Sequence, residues 1–344
     1  MSNRLNKFGE ELGELLEYQN ISINEYAERI GTTPKNLIDI IDGKVSLSFN
    51  MICNISFISD IPVDYISSVE NSFKLDNKID ELLKEENISI KNYLNRFNYK
   101  ELIDKYNITI SNDLNDYSIL RSIFKYLRIT DPKQLYKPNN CILYKSKNDK
   151  PELLHLWLEH CYRTVLDEKV EDYSKGNIDN LVKFINEEAI NNRFDKNRLI
   201  KEFNKNGILL AIEPDLKGSK IRGAFRVLNN TPAIYITTKH KRIGDVYFAL
   251  LHELAHCKSD FNRAKSGSFV SLMEDNSEEE YEIKADKTAL NWMVKDKDYE
   301  EILKSNKYKY YNMPFLVYRL ALDKKISYSS DLYQNNNKLI TIDR

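Results

Sequence analysis

The segment VYFALLHELAHCKSD, residues 246–260, places two histidines and a glutamate inside a largely apolar run. His252 and His256 are four residues apart, so in a helix both imidazoles lie on one face, with Glu253 beside them. Burying such polar groups without partners costs about 2 kcal/mol or more apiece. A chain with this segment must therefore fold so that these three side chains find partners.

The HExxH pattern of these residues is typical of a catalytic metal site. A divalent ion binds both imidazoles at once, and zinc fits best because imidazole and carboxylate ligands with one open position are its usual catalytic form. The alternative is a pair of core histidines that are satisfied by hydrogen bonds within the protein. The chain has only five histidines in 344 residues, so chance is a poor account of this spacing. The pattern therefore favours zinc on His252 and His256.

A catalytic zinc site needs a third protein ligand, and a second helix near residues 278–294 offers one. At about 100° per residue, this helix places Glu282 and Asp286 on the same stripe as its apolar residues. Carboxylates on a buried face are costly unless they are paired or bind metal. We expect Glu282 to be the third ligand and Asp286 to hold the other nitrogen of a ligand histidine. The alternative is a solvated acidic helix start that continues from residues 278–280.

The rest of the chain divides into three stretches of different character. Residues 1–72 are predicted to form short helices, residues 73–200 a helical connector, and residues 201–344 the domain that carries the HExxH helix. Short strand-like runs, GILLAIEP, RGAFRVLN and AIYITT, precede that helix. The sequence thus predicts a mainly α-helical protein with a small β-sheet, an α+β fold.

The first stretch contains two short helices joined by a tight turn. Ser22 and Glu25 form a capping box at the start of one helix, in which each side chain accepts the backbone N–H of the other residue, and Gly31 ends that helix. Thr33 caps the next helix, which ends at Gly43. Two short helices joined by a glycine turn form the helix-turn-helix unit.

Charge bears on whether this unit binds DNA. Residues 1–70 carry five basic and eleven acidic residues, a net charge of −6, while affinity for DNA depends mainly on phosphate contacts. If the unit binds DNA, its second helix would face the major groove and a lysine after it would contact a phosphate. The candidate contacts are Lys35, Asn36, Asp39 and Lys44. The alternative is a module that serves dimerisation or docks a protein.

Composition gives little further direction. The net charge of the whole chain is −1, which indicates neither a nucleic-acid nor a membrane partner. The four cysteines show no CxxC spacing, so neither a disulfide framework nor a thiolate zinc site is expected. The acidic, amphipathic N-terminus is unlike a signal peptide, and no apolar run approaches the roughly 20 residues that span a bilayer. We therefore expect a cytoplasmic protein.

Several of these motifs together resemble a known family. The run GAFRV…PAIYITTKHKRIGDVYFALLHELAH followed by E-x-x-x-D is similar to the ImmA/IrrE metallopeptidases, and SINEYAERIGTTPKNLIDIIDGK resembles an XRE-type helix-turn-helix. With LHLWLEHCYR and MPFLVYRLA, the pairing resembles the long regulators described as HigA-like antitoxins. The resemblance covers most of the chain, and HExxH with its preceding helix is the specific part. Lys284 stands where the family often has a second acidic residue.

The resemblance implies a cytoplasmic zinc peptidase with a zincin-like C-terminal domain, fused to a DNA-binding domain. Such a protein would cleave a repressor or another regulator in stress, mobile-element or toxin–antitoxin control. The expected partners are a protein substrate, operator DNA and a toxin, with a homodimer left open and no membrane partner. The competing hypothesis is a DNA-binding antitoxin or transcriptional regulator whose peptidase-like domain is a sensor or scaffold without significant turnover.

The predicted roles of the site residues follow from their chemistry. His252, His256 and Glu282 would hold a zinc ion that polarises a peptide carbonyl and acidifies water, and Glu253 would be the general base for that water. A donor for the developing oxyanion is also needed. The sequence leaves three candidates for this donor: Arg226, Tyr235 and His240.

Overall fold

The structure is a computed structural model, and it is mainly helical with one small β-sheet, which confirms the predicted fold class at that level. It describes residues 7–106, 108, 115–136, 142–143, 150–239, 241–265, 268–272 and 280–340. The chain divides into two compact units: Met1–Tyr93 with Asn115–Tyr117, and Leu94–Leu114 with Ser118–Arg344. The assignment of residues 1–72, 73–200 and 201–344 as separate domains stays a prediction.

Between residues 7 and 106, all of the regular secondary structure is α-helical. The helices are α1 (Lys7–Gln19), α2 (Ile23–Arg29), α3 (Pro34–Ile41), α4 (Phe49–Ser59), α5 (Val63–Glu85), α6 (Ile90–Arg96) and α7 (Tyr99–Tyr106). Apolar residues of α1 to α5 form the core of the first unit. The two short helices predicted around Gly31 are α2 and α3, and the glycine has φ +73°, a left-handed conformation that suits glycine best.

The capping of α2 and α3 differs in one respect from the expected pattern. Ser22 Oγ accepts the backbone N–H of Glu25 at 3.3 Å, and Thr33 Oγ1 accepts that of Asn36 at 3.2 Å. The carboxylate of Glu25, however, pairs with Arg29 one turn further on. The capping box is therefore half formed, because the exposed ion pair takes the carboxylate that would have turned back to the cap.

The second unit combines helices with the sheet. After residue 115 the elements are α8 (Asp116–Leu127), a 3-10 turn (Pro132–Tyr136), β1 (Ile142–Leu143), α9 (Pro151–Val165), α10 (Asn177–Ile190), α11 (Lys196–Lys205), β2 (Leu209–Glu213), β3 (Ile221–Leu228), β4 (Thr231–Thr237), α12 (Ile243–Ala264), β5 (Ser268–Leu272), α13 (Glu280–Met293), α14 (Asp296–Ser305), α15 (Met313–Leu322) and α16 (Asp331–Asn336). Residues 278 and 279 of the predicted second site helix lie outside the described residues.

Within the described part of the chain, five strands form one sheet in the order β1-β5-β3-β4-β2. β3 and β4 form an antiparallel hairpin whose two turn residues, Asn229 and Asn230, have φ of 48° and 69°, as a tight two-residue turn requires. β2 joins β4 in parallel and β5 joins β3 antiparallel. Helices cover both faces, so β2 and β4 are buried along almost their whole length.

The two faces of the sheet meet different helices. Ile234 and Ile236 of β4 belong to the core cluster that contains most of the buried residues of α12. Tyr235, between them, packs edge-on against Trp157 of α9 with ring centroids 6.3 Å apart. Because successive side chains of a strand point to opposite faces, α12 lies on one side of the sheet and α9 on the other.

None of the described helices combines the length and the apolar character that crossing a bilayer requires.

Close packing of α1 against α3 gives a testable property of the first unit. A Cβ atom on Gly9 would lie 2.5 Å from the carbonyl oxygen of Ile41, whereas one on Gly13 would lie 3.6 Å from the Ile41 Cγ2 atom, an ordinary contact. We expect Gly9→Ala to destabilise α1 and α3 by about 1–3 kcal/mol, since the backbones must move apart. Gly13→Ala should stabilise them by about 0.5–1 kcal/mol through helix propensity.

The measurement is hydrogen exchange of the α1 and α3 amides in the full chain, which reports local stability. Gly13→Ala is the matched control, since it makes the same chemical change one turn away. Equal protection in the two variants would contradict the close approach of α1 and α3.

Candidate metal centre

Helix α12 carries the HExxH residues through the core of the second unit. Every residue from Val246 to Cys257 is buried, including His252 at 2% exposure and Glu253 and His256 at 0%. The run of apolar residues around the motif explains this burial, because α12 packs against β3 and β4 on one side and against other helices on the rest. The three polar side chains therefore meet protein groups rather than bulk water.

Helix α13 brings the third side chain to the two histidines. Ala285, Ala289 and Met293 bury one stripe of α13, and Glu282 lies on the same stripe with 14% of its side chain exposed. The Nε2 atom of His252 is 3.1 Å from Glu282 Oε2. The fold thus brings together side chains of α12 and α13, two helices that are separated in the sequence by β5.

The second histidine contributes to the same point. The Nε2 atom of His256 is 3.3 Å from Glu282 Oε1 and 3.1 Å from the Nε2 atom of His252. A tetrahedral ion with bonds of about 2.0–2.2 Å separates its ligand atoms by about 3.3–3.5 Å. The distance between the two Nε2 atoms is close to such an edge, and each Nε2 atom is equally close to one of the two oxygens of Glu282. With one ligand atom from each residue, the three atoms lie within 4.8 Å of one another. His252, His256 and Glu282 form a buried group that could hold a metal ion.

Two aspartates hold the other nitrogens of the histidines. His252 Nδ1 lies 2.8 Å from Asp286 Oδ1, and His256 Nδ1 lies 3.1 Å from Asp260 Oδ2. An ionised carboxylate only accepts hydrogen bonds, so each Nδ1 carries the proton. In the neutral ring each Nε2 is then left with a lone pair for a metal ion, whereas a second proton on the ring makes Nε2 a donor to Glu282. Carboxylate–histidine pairs of this kind orient metal-binding imidazoles.

The electrostatics of the group reflect this crowding of basic atoms. Burial lowers the pKa of His252, but its hydrogen bonds to Asp286 and Glu282 outweigh burial and raise the pKa to about 10. Burial raises the pKa of Glu282, and the hydrogen bonds from both histidines reverse this and lower it to about 2. Without a metal the group therefore binds protons strongly. A metal ion must displace them, so its affinity should rise with pH.

Glu253 lies against the sheet beside the metal ligands. Burial lowers the pKa of His252 and of His256, and the charge of Glu253 acts against burial at both rings. A Cβ atom on Gly223 of β3 would lie 2.6 Å from Glu253 Oε1 and 3.0 Å from the carbonyl oxygen of Tyr235. Only glycine at this position leaves room for the carboxylate as it stands.

Two of the three residues suggested as oxyanion donors face away from α12. Tyr235 faces α9, as its contact with Trp157 shows. Arg226 lies two residues from Ala224, the strand partner of Tyr235, so its side chain points to the same face. His240 lies outside the described residues. Strand alternation explains this placement, because the sequence did not show which face of β3 and β4 meets α12.

On the α12 side of the sheet, two other polar side chains lie near the centre. The guanidinium of Arg222 is 5.3 Å from the ring centroid of Phe248, and the ring of Tyr318 is 5.1 Å from the same centroid. The Phe248 ring is in turn 6.1 Å from that of His252. Arg222 and Tyr318 therefore lie beside Phe248, which in turn lies beside the predicted ligand His252.

Two residues of the centre, Asp260 and Gly223, were not predicted from the sequence. Asp260 follows His256 by four residues, and this spacing places both on one helical face, so the signal was present. Gly223 stands inside a predicted strand, where glycine often marks a close approach of another group. Neither residue type is chemically distinctive by itself, which is why the HExxH pattern alone did not point to them.

The predicted DNA-contact residues lie in the first unit with different environments. Lys35 on α3 is exposed, whereas the side-chain amide of Asn36 donates to Thr32 Oγ1 at 2.8 Å. Lys44 pairs with the carboxylates of Asp42 at 2.7 Å and Asp39 at 3.9 Å. The four predicted DNA contacts are Lys35, Asn36, Asp39 and Lys44. Two of the four thus neutralise each other, which leaves little net positive charge on this surface.

The geometry of the centre predicts how single substitutions change metal binding. Glu282→Gln should lower zinc affinity by about tenfold or more, because a neutral amide is a poor ligand for a divalent cation. Asp260→Asn should lower it by about 10- to 100-fold, since His256 loses the carboxylate that orients it. Zinc content by elemental analysis and zinc affinity by competition with a chelator are the measurements.

Glu280→Gln is the matched control, because Glu280 is exposed at the start of the same helix. It should leave zinc content unchanged. Loss of zinc in Glu280→Gln but not in Glu282→Gln would show that a different carboxylate of α13 is the ligand.

The chain was compared with known proteins at three levels, and no protein-family model, no curated protein and no solved structure matches it. A function for this chain has to be argued from its own site.

Proposed function

We propose that this protein is a zinc-dependent endopeptidase whose substrate is a repressor or another regulator protein. The observation that supports it best is the buried group of His252, His256 and Glu282, in which one ligand atom from each residue lies within 4.8 Å of the other two. Two imidazoles and one carboxylate are the ligands of a catalytic rather than a structural zinc ion, which leaves a position for substrate or water. The resemblance to the ImmA/IrrE metallopeptidases supports the same proposal.

The residues of the chain would act in distinct ways. When bound, zinc supplies Lewis acidity that polarises a carbonyl and makes water easier to deprotonate. Glu253 would accept the proton of the attacking water and donate it to the leaving amine nitrogen. Asp286 and Asp260 would keep the two imidazoles oriented with Nε2 toward the ion. Burial of Glu253 excludes bulk water from this proton transfer.

The first unit would supply regulation. DNA binding through the helices α2 and α3, an XRE-type helix-turn-helix in the proposal, would bring the peptidase to an operator. The ion pairs of Lys44 count against a strong phosphate contact there. A toxin partner, a homodimer and a cytoplasmic location belong to the same proposal.

A second function is favoured by one observation. Tyr235 and Arg226, two of the residues suggested as oxyanion donors, lie on the face of the sheet that meets α9, and a peptidase needs such a donor near the metal. In this alternative, the protein is a DNA-binding antitoxin or transcriptional regulator, and the metal centre acts as a sensor or scaffold without significant turnover.

The role of Glu253 separates these two functions. Glu253→Gln keeps the shape of the side chain but cannot accept a proton. We expect zinc content to stay at the level of the parent while the cleavage rate falls by about 10²- to 10⁴-fold, the usual contribution of a general base. The measurement is digestion of a proteome-derived peptide library by the zinc-loaded protein, with new peptide termini identified by mass spectrometry.

Gly223→Ala tests the same step from the other side, because the added Cβ must displace the Glu253 carboxylate. It should retain zinc and lose cleavage activity. If the zinc-loaded parent produces no new termini from the library or from candidate regulators, the peptidase proposal fails and the scaffold function replaces it.

DNA binding by the first unit makes a separate prediction. The full chain should bind its own promoter region weakly, with a shallow salt dependence, because few cations are available for phosphates. Lys35→Glu should abolish this binding, while Lys78→Glu, an exposed lysine of α5 that pairs with Glu81, should not. Fluorescence anisotropy with labelled promoter fragments at several salt concentrations is the measurement. No binding by the parent even at low salt would favour a module that docks a protein.

A further inference from the structure

Two clefts on the second unit meet at Tyr328. One has a volume of about 390 Å³ and lies at the start of α12. The other has a volume of about 580 Å³ and lies between the end of α15 and the start of α16. We call the two clefts together the basic groove, after the charged residues among its described lining. These are Lys239, Lys241, Arg242, Asp245, Lys324 and Lys325.

The described lining of this groove carries five basic residues and one acidic residue on a chain whose net charge is −1, and one of the five, Lys239, pairs with Asp215 at 3.8 Å. Lys241, Lys324 and Lys325 are exposed, so their ammonium groups are accessible to a ligand. The acidic residue among the described lining, Asp245, accepts hydrogen bonds from Tyr333 Oη at 2.8 Å and Asn337 Nδ2 at 3.1 Å. These donors partly offset its charge, so the groove presents its cations to solvent.

The groove is held in shape by the chain that follows α16. The guanidinium of Arg242 donates to the carbonyl oxygen of Asn337 and to the side-chain oxygen of Gln334. Residues 338–340 pair with residues 241–243 through backbone hydrogen bonds of 3.0 Å and 2.7 Å. The wall of the groove is therefore built before any ligand arrives, which lowers the entropic cost of binding.

Helix α12 connects the groove with the candidate metal centre. Arg242 precedes the helix and His252 lies ten residues later, a distance of about 15 Å at a rise of about 1.5 Å per residue. The groove and the candidate metal centre thus lie at the two ends of a ten-residue stretch of the same helix.

The surface of the groove also offers apolar contact. Tyr328, at the junction of the two clefts, is 47% exposed, and Leu339 in the first cleft is 65% exposed. Exposed apolar side chains among cations suit a ligand that carries carboxylates around an apolar residue. A nucleic-acid backbone, which carries phosphates and sugars but no apolar side chain, would gain little from Leu339.

We propose that the basic groove binds an acidic segment of the protein substrate, with an apolar residue among the acidic ones. This inference rests on the proposed peptidase function for the identity of the ligand as substrate. It goes beyond that function by naming the charge and the apolar content of the recognised segment.

The experiment measures binding without turnover. The full chain carrying Glu253→Gln is titrated into a short fluorescein-labelled peptide of glutamate and aspartate around one leucine, and anisotropy is recorded at several salt concentrations. The isosteric peptide of glutamine and asparagine is the ligand control. We expect the acidic peptide to bind and the neutral peptide to bind about tenfold or more weakly, with the difference shrinking as salt rises.

Charge reversal locates the site. Lys241→Glu combined with Lys324→Glu places one reversal in each cleft and should weaken binding of the acidic peptide by about tenfold or more. Lys201→Glu, an exposed lysine of α11, is the matched control and should leave binding unchanged. A circular-dichroism spectrum of each variant establishes that it is folded. Equal loss in the groove variant and the control, or no binding by the parent, overturns the proposal.

A single-stranded DNA of similar net charge is the remaining arm. Tighter binding of this DNA than of the acidic peptide, with the same sensitivity to the groove variant, would replace a peptide ligand by a nucleic acid and overturn the proposal. Failure of the peptidase function gives a different result, namely absence of cleavage by the zinc-loaded parent, while peptide binding by the Glu253→Gln protein is unaffected.

Discussion

The convergence of two imidazoles and one carboxylate in a buried place is the constraint on which the second unit depends. The Nε2 atoms of His252 and His256 are 3.1 Å apart, and each lies 3.1–3.3 Å from one oxygen of Glu282. Lone pairs at such distances repel unless protons or a cation lie between them. Burial lowers the pKa of His252, and its hydrogen bonds to Asp286 and Glu282 raise it against burial to about 10, which reflects the same need. A cation at this point removes the repulsion.

The surrounding structure keeps these atoms in place rather than letting them separate. The apolar residues of α12 pack on the sheet and fix the histidine-bearing face, while the buried stripe of α13 fixes Glu282. Asp286 and Asp260 hold the outer nitrogens of the two rings. The absence of a side chain on Gly223 leaves room for Glu253. Moving any one of these groups would alter the geometry of the others, so the centre behaves as a unit.

Charge is distributed unevenly over the chain, and this distribution bears on both proposals. The first 70 residues have a net charge of −6, and Lys44 there is paired with acidic neighbours. The second unit carries the basic groove at the start of the same helix that bears the HExxH residues. A protein substrate with acidic segments would be attracted to this groove, whereas DNA would find few available cations on α3.

How much of this could be predicted differs between local and long-range features. The start of α2 and α3 and the apolar stripe of α13 followed from residue spacing, because caps and helical faces depend on neighbours a few residues away. The half-formed capping box was not predictable, since the competing ion pair of Glu25 with Arg29 is as local and as weak as the bond it replaces.

The sequence by itself determined that His252 and His256 share a helical face and that Glu282 shares the buried stripe of another helix, since helical periodicity needs no tertiary information. Only the tertiary structure decided that the two helices meet at those residues, that Tyr235 faces α9, and that the carboxylate of Glu253 lies against Gly223. Distances between segments far apart in the chain, and the face of a strand that a helix covers, depend on how the whole core packs.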